Sequence, residues 1–323
     1  MKRRAVCLFP ALAIASPLSA QPRPRMQRIG RLAIGTPNMS AAPIVAQNEG
    51  LREQGLIEGQ NIEFVWRWAS GPLDALPGLA AELVAERVDV ILTGNNNATA
   101  AAMRATSTIP IVMVLGVDPV RNGFIDSYAR PGRNVTGLTS DAGQQGHGKH
   151  LQLLKELVPG LRRVAVLVQE GLGEDPAAID EAARSLGVQL VVVPKVTQPE
   201  DIEPTFAAMK RGGAQAYLGI GGSVLFNRSA QVAALALQYR LPGVHWLSSW
   251  VRNGALLSYG FHLSTLYKRS GWYVARILQG SKPADLPVEQ PSRFEMAINL
   301  KTARALGLVV PQSLLLLADE VIE

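Results

Sequence analysis

The residues with the most chemistry to offer lie at the ends of two apolar runs, Val88 to Leu92 and Ile109 to Leu115. The first is followed by Thr93-Gly94-Asn95-Asn96-Asn97 and then by an Ala-rich segment, 98–105, that includes Thr99. Asn or Thr stands there where a helix N-cap is wanted. Amide and hydroxyl side chains beside the free N–H groups of a helix N-terminus suit a carboxylate or phosphate. The second run ends in Gly116-Val117-Asp118-Pro119. Pro119 fits the first turn of a helix. Asp118 reads two ways, as the cap of that helix or as a fixed negative charge that would pair with an ammonium. A carboxylate site and an ammonium site at neighbouring strand ends together describe an α-amino acid.

Other reactive constellations are thin. His147 and His150 are spaced as neighbours on one helical face, but no carboxylate or Cys accompanies them, so a solvated face is a simpler reading than a metal site. Gly219-Ile220-Gly221 opens like a dinucleotide fingerprint, yet Val224 stands where the third Gly belongs. No G-x-x-x-x-G-K followed by Ser or Thr occurs, and no G-x-S-x-G nucleophile elbow. The sequence therefore implies no cofactor, no catalytic residue and no metal, and points to a binding protein rather than an enzyme.

The elements that must position these residues follow an α/β plan. Both apolar runs are rich in β-branched residues and stop at a Gly, as buried parallel strands do. Upstream, 28–35 reads as the first strand and 43–54 as a helix ending at Gly55; 62–68 is a strand with Phe64, Trp66 and Trp68 on one face, a pattern more typical of core than of ligand contact. A helix over 76–87 leads into the first apolar run, and a further helix is expected over 120–128. The strand 135–139, with Gly137 and small hydroxyl residues, suits a hinge.

The plan then repeats, with a helix over 144–158, strands at 163–168, 188–193 and 214–220, and helices over 176–186 and 199–211. In both halves a strand ending in Gly (Gly94; Gly219 and Gly221) precedes a polar residue, an Ala-rich helix and a strand entered through Pro110 or Pro242. This gives two doubly wound, Rossmann-like lobes joined by three crossovers, with a ligand cleft between them. The expected boundaries are 28–138 plus 258–288 for the first lobe and 139–257 plus 289–323 for the second. The crossings are 135–139, 255–260 with helix 263–279, and the extended 283–291. From the second lobe the cleft wall would be Gln169-Glu170-Gly171, Gly222-Ser223, Asn227 and His245-Trp246, with Ser223 equally suited to capping a helix.

Composition sets the compartment. Residues 1–20 carry a basic start (Lys2, Arg3, Arg4), an apolar stretch from Ala5 to Ala15 and small residues up to Ala20, which reads as a secretory signal too short to span a membrane. Removing it takes away Cys7, the single cysteine, so the mature chain would hold no disulfide. It also leaves 29 basic against 26 acidic residues, an ordinary balance that gives no support for nucleic-acid binding or for stable membrane insertion.

The blocks VDVI…TG, IPIV, G-x-DPV, RPGRNVTGLT, LQLLKELVPG, RVAVLV, LPVEQP and FEMAINLKTARALGL, in that order, resemble the extracytoplasmic substrate-binding proteins of ABC transporters, of the tryptophan/tyrosine-binding type. The resemblance covers nearly the whole mature chain. It implies a periplasmic type I binding protein without catalysis, whose partners are a small-molecule solute and an ABC permease in the inner membrane. It also implies that the loop after the first strand, Thr36-Pro37-Asn38, lines the cleft, although Asn38 is by itself an ordinary turn residue. The segment 169–173 departs from the Asn-Pro-rich loop of the family. Trp246 and Tyr259 near the crevice favour an aromatic or branched amino acid. Two relatives of the fold compete: an enzyme, which would need a nucleotide fingerprint or a nucleophile with its base, and a repressor effector domain, which would need a helix-turn-helix ahead of residue 28. A binding protein feeding a sensor instead of a permease would look the same in sequence.

Overall fold

The computed structural model describes residues 25–35, 41–69, 73–140, 145–170 and 176–323. The expected export segment, 1–20, lies outside them. The first sheet is built from β1 (Gln27–Ile34), β2 (Ile62–Ala69), β3 (Val90–Thr93), β4 (Ile111–Gly116) and β5 (Val135–Thr139), in the order β2-β1-β3-β4-β5 and all parallel. Every residue of β3 is buried, as expected of a central strand covered on both faces. One face is packed by α2 (Leu76–Ala85) and α3 (Asn96–Ala105), through Leu83, Ala98 and Ala102 against Ile91 and Met113.

The opposite face is covered by α1 (Ala41–Glu53) and by a helix from much later in the chain, labelled below. After β5 the chain passes to the second sheet. There α4 (Gln145–Leu157) buries Leu151, Leu154 and Leu157 beside β6 (Arg163–Val168). The strands that follow are β7 (Gln189–Val191), β8 (Ala216–Gly221), β9 (Gly243–His245) and β10 (Leu257–Phe261). Between them lie α5 (Pro176–Ser185), α6 (Ile202–Arg211), α7 (Ser223–Asn227), α8 (Ser229–Gln238) and α9 (Ser248–Arg252). The order β7-β6-β8-β9-β10 repeats the winding of the first sheet strand for strand.

The symmetry extends to the connections. β5 is followed by a helix that packs on the second sheet, and β10 by α10 (Leu263–Leu278), which packs on the first through Leu266, Tyr273, Val274 and Ile277. α10 presses directly on α1. A Cβ on Gly50 would stand 1.9 Å from the Lys268 carbonyl oxygen, so only glycine permits this approach. The third connection runs along β5: the Glu289 N–H donates to the Gly137 carbonyl at 3.0 Å and the Thr139 N–H to the Glu289 carbonyl at 3.0 Å. The chain then adds β11 (Phe294–Asn299), antiparallel to β10, followed by α11 (Leu300–Ala305), α12 (Gln312–Leu317) and β12 (Glu320–Ile322).

Three expectations are corrected. Residues 120–128 form turns rather than a helix: the N–H groups of Asn122 and Gly123 bond back to Asp118 and Val120, and Gly123 takes a φ of 70° that ends any helical path. The strand expected over 188–193 is limited to Gln189–Val191, because Val192 is 96% exposed and has no strand to pair with. Neither 135–139 nor 255–260 is itself the crossing: β5 is the fifth strand of the first sheet, and the chain passes over only after it. Leu257–Phe261 is the fifth strand of the second sheet, paired with β9 and β11, and the chain leaves that sheet only at His262.

Candidate ligand-binding site

In both sheets the winding reverses at the first strand, which opens a crevice at the carboxyl ends of β1 and β3 and another at those of β6 and β8. Leu247, just after β9, packs against the cores of both lobes and so ties the two crevices together. Thr36 and Asn38, with Pro37 and Gly171, lie outside the described residues.

The loop after β3 is heavily self-bonded. Asn95 caps α3, its Oδ1 accepting from the Ala98 N–H at 2.9 Å. Asn96 clamps the end of β4, donating from Nδ2 to the Val117 carbonyl and accepting from the Val117 N–H, both at 2.8 Å. Thr99 is fully buried, with its hydroxyl 2.7 Å from that of Thr93 and 2.9 Å from the Asn95 carbonyl. Of these side chains only that of Asn97, half-buried, has no hydrogen-bond partner among the described residues. Asp118 has a φ of 44°, accepts from the Arg121 N–H at 3.3 Å and so organises the turn that follows β4.

In the second lobe Gln169 is buried and its Oε1 accepts from the Val224 N–H at 2.8 Å, holding the start of α7. Gly222 has a φ of 120° and lies so close that a Cβ there would come within 2.4 Å of Gln169. Ser223 opens α7, and its side chain is outside the described set. Glu170 and Asn227 are exposed. Trp246 is half-buried, with its ring 4.1 Å from that of His150 and 5.5 Å from that of His147, both edge-on.

The solvated face expected for the two histidines is therefore corrected. His150 is fully buried, and its Nε2–H donates to the Tyr259 carbonyl. Burial lowers its pKa to about 3, so the ring is neutral at ordinary pH. His245 behaves alike: it stacks on Trp250 at 4.1 Å, lies 3.0 Å from the Tyr217 hydroxyl, and is lowered by burial to about 3. Among the described residues, no three His, Cys, Asp or Glu side chains are grouped to hold a metal.

The residue that sequence reasoning missed is Arg31. It sits on β1, only 3% exposed, in register with Trp66 of β2. Its guanidinium lies 4.1 Å over the Phe64 ring and 4.3 Å over that of Trp66, and Nη2 donates to Asn48 Oδ1 at 3.0 Å. Trp66 in turn stacks on Trp68 at 5.0 Å with the planes 5° apart. Arg31, Gln47, Trp66, Trp68, Thr93 and Tyr267 line a cavity of about 50 Å³, with Gly94 at its rim. The sequence signal was a cation set inside the apolar stretch IGRLAIG, aligned with three alternating aromatics on the next strand.

The profile of the family described as ABC transporter substrate binding protein matches residues 42–322. The chain belongs to this family. Among similar proteins is the tyrosine-binding protein of Clostridioides difficile (strain R20291), 24% identical over 263 residues that span 80% of this chain and 75% of that one. A conserved domain protein from Vibrio cholerae superposes on the substrate-binding protein with a TM-score of 0.86 at 25% identity, over 92% of this chain and all of that one. A Streptococcus domain crystallised with L-Trp gives 0.84 at 22% identity with the same coverage. The substrate-binding protein thus has the two-lobed type I fold and binds rather than transforms its ligand. No helix among the described residues is long and apolar enough to cross a membrane.

Proposed function

We propose that this protein is the periplasmic solute-binding component of an ABC importer, exported by residues 1–20, and that it closes two lobes over an aromatic or branched amino acid. The lobes would move about the three connections after β5, after β10 and at Glu289. The observation that carries the solute class is the lining of the crevice, with stacked Trp66 and Trp68 beside a buried cation in one lobe and Trp246 against the buried, neutral His150 in the other. Flat apolar walls with few polar groups select an aromatic or branched side chain, and the cation selects an acid. The tyrosine-binding relative and the L-Trp complex of the shared fold support the same class.

A thermal-shift screen of the purified protein against amino acids, sugars, nucleosides and small carboxylates tests this. A ligand present at about 100 times its Kd adds roughly 2.7 kcal/mol to stability. A rise confined to aromatic and branched amino acids is expected, and a rise confined to sugars or nucleosides would overturn the solute class.

A further inference from the structure

Arg31 differs from the other well-placed arginines of this protein. Arg28, Arg67, Arg133, Arg252 and Arg269 each meet a carboxylate within 4 Å, and all are at least one-quarter exposed. Arg31 is buried and meets none among the described residues. The exposed acid Glu58 acts on it only through its field. A buried charge left unpaired is costly, and two aromatic faces with one amide offset part of that cost. The guanidinium carries five N–H donors. Nη2 uses one on Asn48; among the described residues neither Nε, which is sealed from solvent, nor Nη1 has a partner.

The unused donors belong to a residue that lines the cavity at the β1–β3 crevice, three positions before the end of β1 and opposite Leu92, the last but one residue of β3. Leu32 pairs with Thr93 there, and Gly94 follows. On the scale where one water needs roughly 10–15 Å³, a cavity of about 50 Å³ takes the few atoms of a carboxylate but not an aromatic ring. The rest of the solute must then lie outside the cavity, along Trp66 and Trp68 and toward the second lobe. We propose that Arg31 is the anion anchor of the ligand site, receiving the solute's carboxylate in this cavity. The proposal rests on the amino-acid reading above and names the group that holds its acid end. Planar, two-toothed recognition of a carboxylate is what a guanidinium does and an ammonium does not.

The test is calorimetric titration with L-tyrosine, with tyramine, which lacks the carboxylate, and with 3-(4-hydroxyphenyl)propionate, which lacks the amine. The wild-type protein should bind the two acids and bind tyramine about 100-fold more weakly, in line with removal of one partner from a buried charged pair. Arg31→Met should weaken both acids about 100-fold and leave tyramine unchanged. Arg31→Lys should fall between. Equal binding of tyrosine and tyramine by the wild type would overturn the proposal even if Arg31→Met fails to fold. So would a folded Arg31→Met that binds tyrosine within twofold of wild type, and in that case the amino-acid reading stands. If none of the three binds, the aromatic part of the amino-acid reading falls. Melting in benzoate and acetate then decides on Arg31: a rise in the wild type that Arg31→Met lacks supports the anchor, and no rise in the wild type overturns it.

Discussion

His150 on α4 donates its Nε2–H to the carbonyl of Tyr259 on β10, so the ring closes the seam between the helix that enters the second lobe and the strand that leaves it. Its pKa, like that of His245, is lowered by burial to about 3 from 6.5. Both groups stay neutral in the folded protein while the unfolded chain takes up protons below about pH 6.5. Their contribution is fully present above that pH and is lost as the pH falls toward 3. Stability should therefore decline by about 1.4 kcal/mol per pH unit for each histidine across this window. Denaturant unfolding from pH 7.5 to 4 checks it. His150→Gln should reduce the slope by about one proton, and an unchanged slope would show that the burial is not what sets it.

The stacked pair Trp66 and Trp68 is half-buried, so its truncation should be felt at the ligand before it is felt in the fold. Trp68→Ala is expected to raise the Kd for L-tyrosine about tenfold, the order of one lost aromatic contact, with a small change in melting temperature. Titration beside a melting curve separates the two. A large loss of stability with unaltered affinity would place Trp68 in the core.

Asn96 and Asn97 are neighbours with opposite roles. Asn96→Ala removes both hydrogen bonds to Val117 and should cost about 1–3 kcal/mol in unfolding free energy, because the Val117 N–H loses its partner while the carbonyl keeps Asn122 Nδ2 at 3.0 Å. Asn97→Ala breaks no hydrogen bond among the described residues and should leave stability within about 0.5 kcal/mol. It is expected instead to weaken solute binding several-fold. Urea unfolding of the two variants, with a titration of each, reads both effects.

At Gly50 even a methyl group has no room against the Lys268 carbonyl, and Gly271 faces Gly50 with the same lack of space. Gly50→Ala should force α1 and α10 apart at a cost of about 1–3 kcal/mol, a drop of several degrees in melting temperature. An unchanged melting curve would mean that the helices shift without resistance.

Much of the fold was legible because parallel strands announce themselves: runs such as 109–115 and 163–168 are apolar, β-branched and bounded by turn formers. The repeat of the strand order was visible through Pro110 and Pro242, each placed just ahead of the matching strand. What failed was local. The Asn122-Gly123 pair is a turn signal that outweighs the helix-compatible residues around it. His147 and His150 lie at the spacing of Leu151, Leu154 and Leu157, so the apolar stripe of α4 already ran through them, and their polarity hid it. The position of Arg31 depends on the register of β1 with β2, which brings Phe64 and Trp66 beside it from a distant segment. Strand alternation gives the face that a residue occupies, but not the neighbour it meets across the sheet.

The exchange of helices between the sheets also fixes when this chain can fold. The first sheet is complete in strands once residue 139 has been made, yet the face formed by Ile29, Val90 and Val112 is covered by α1 alone until α10 emerges at residues 263–278. A chain ending near residue 140 would therefore lack the Leu266, Tyr273, Val274 and Ile277 side chains that complete this core. The two lobes are therefore coupled in folding as well as in closure, since α10 supplies part of the first lobe's core only after most of the chain has been made.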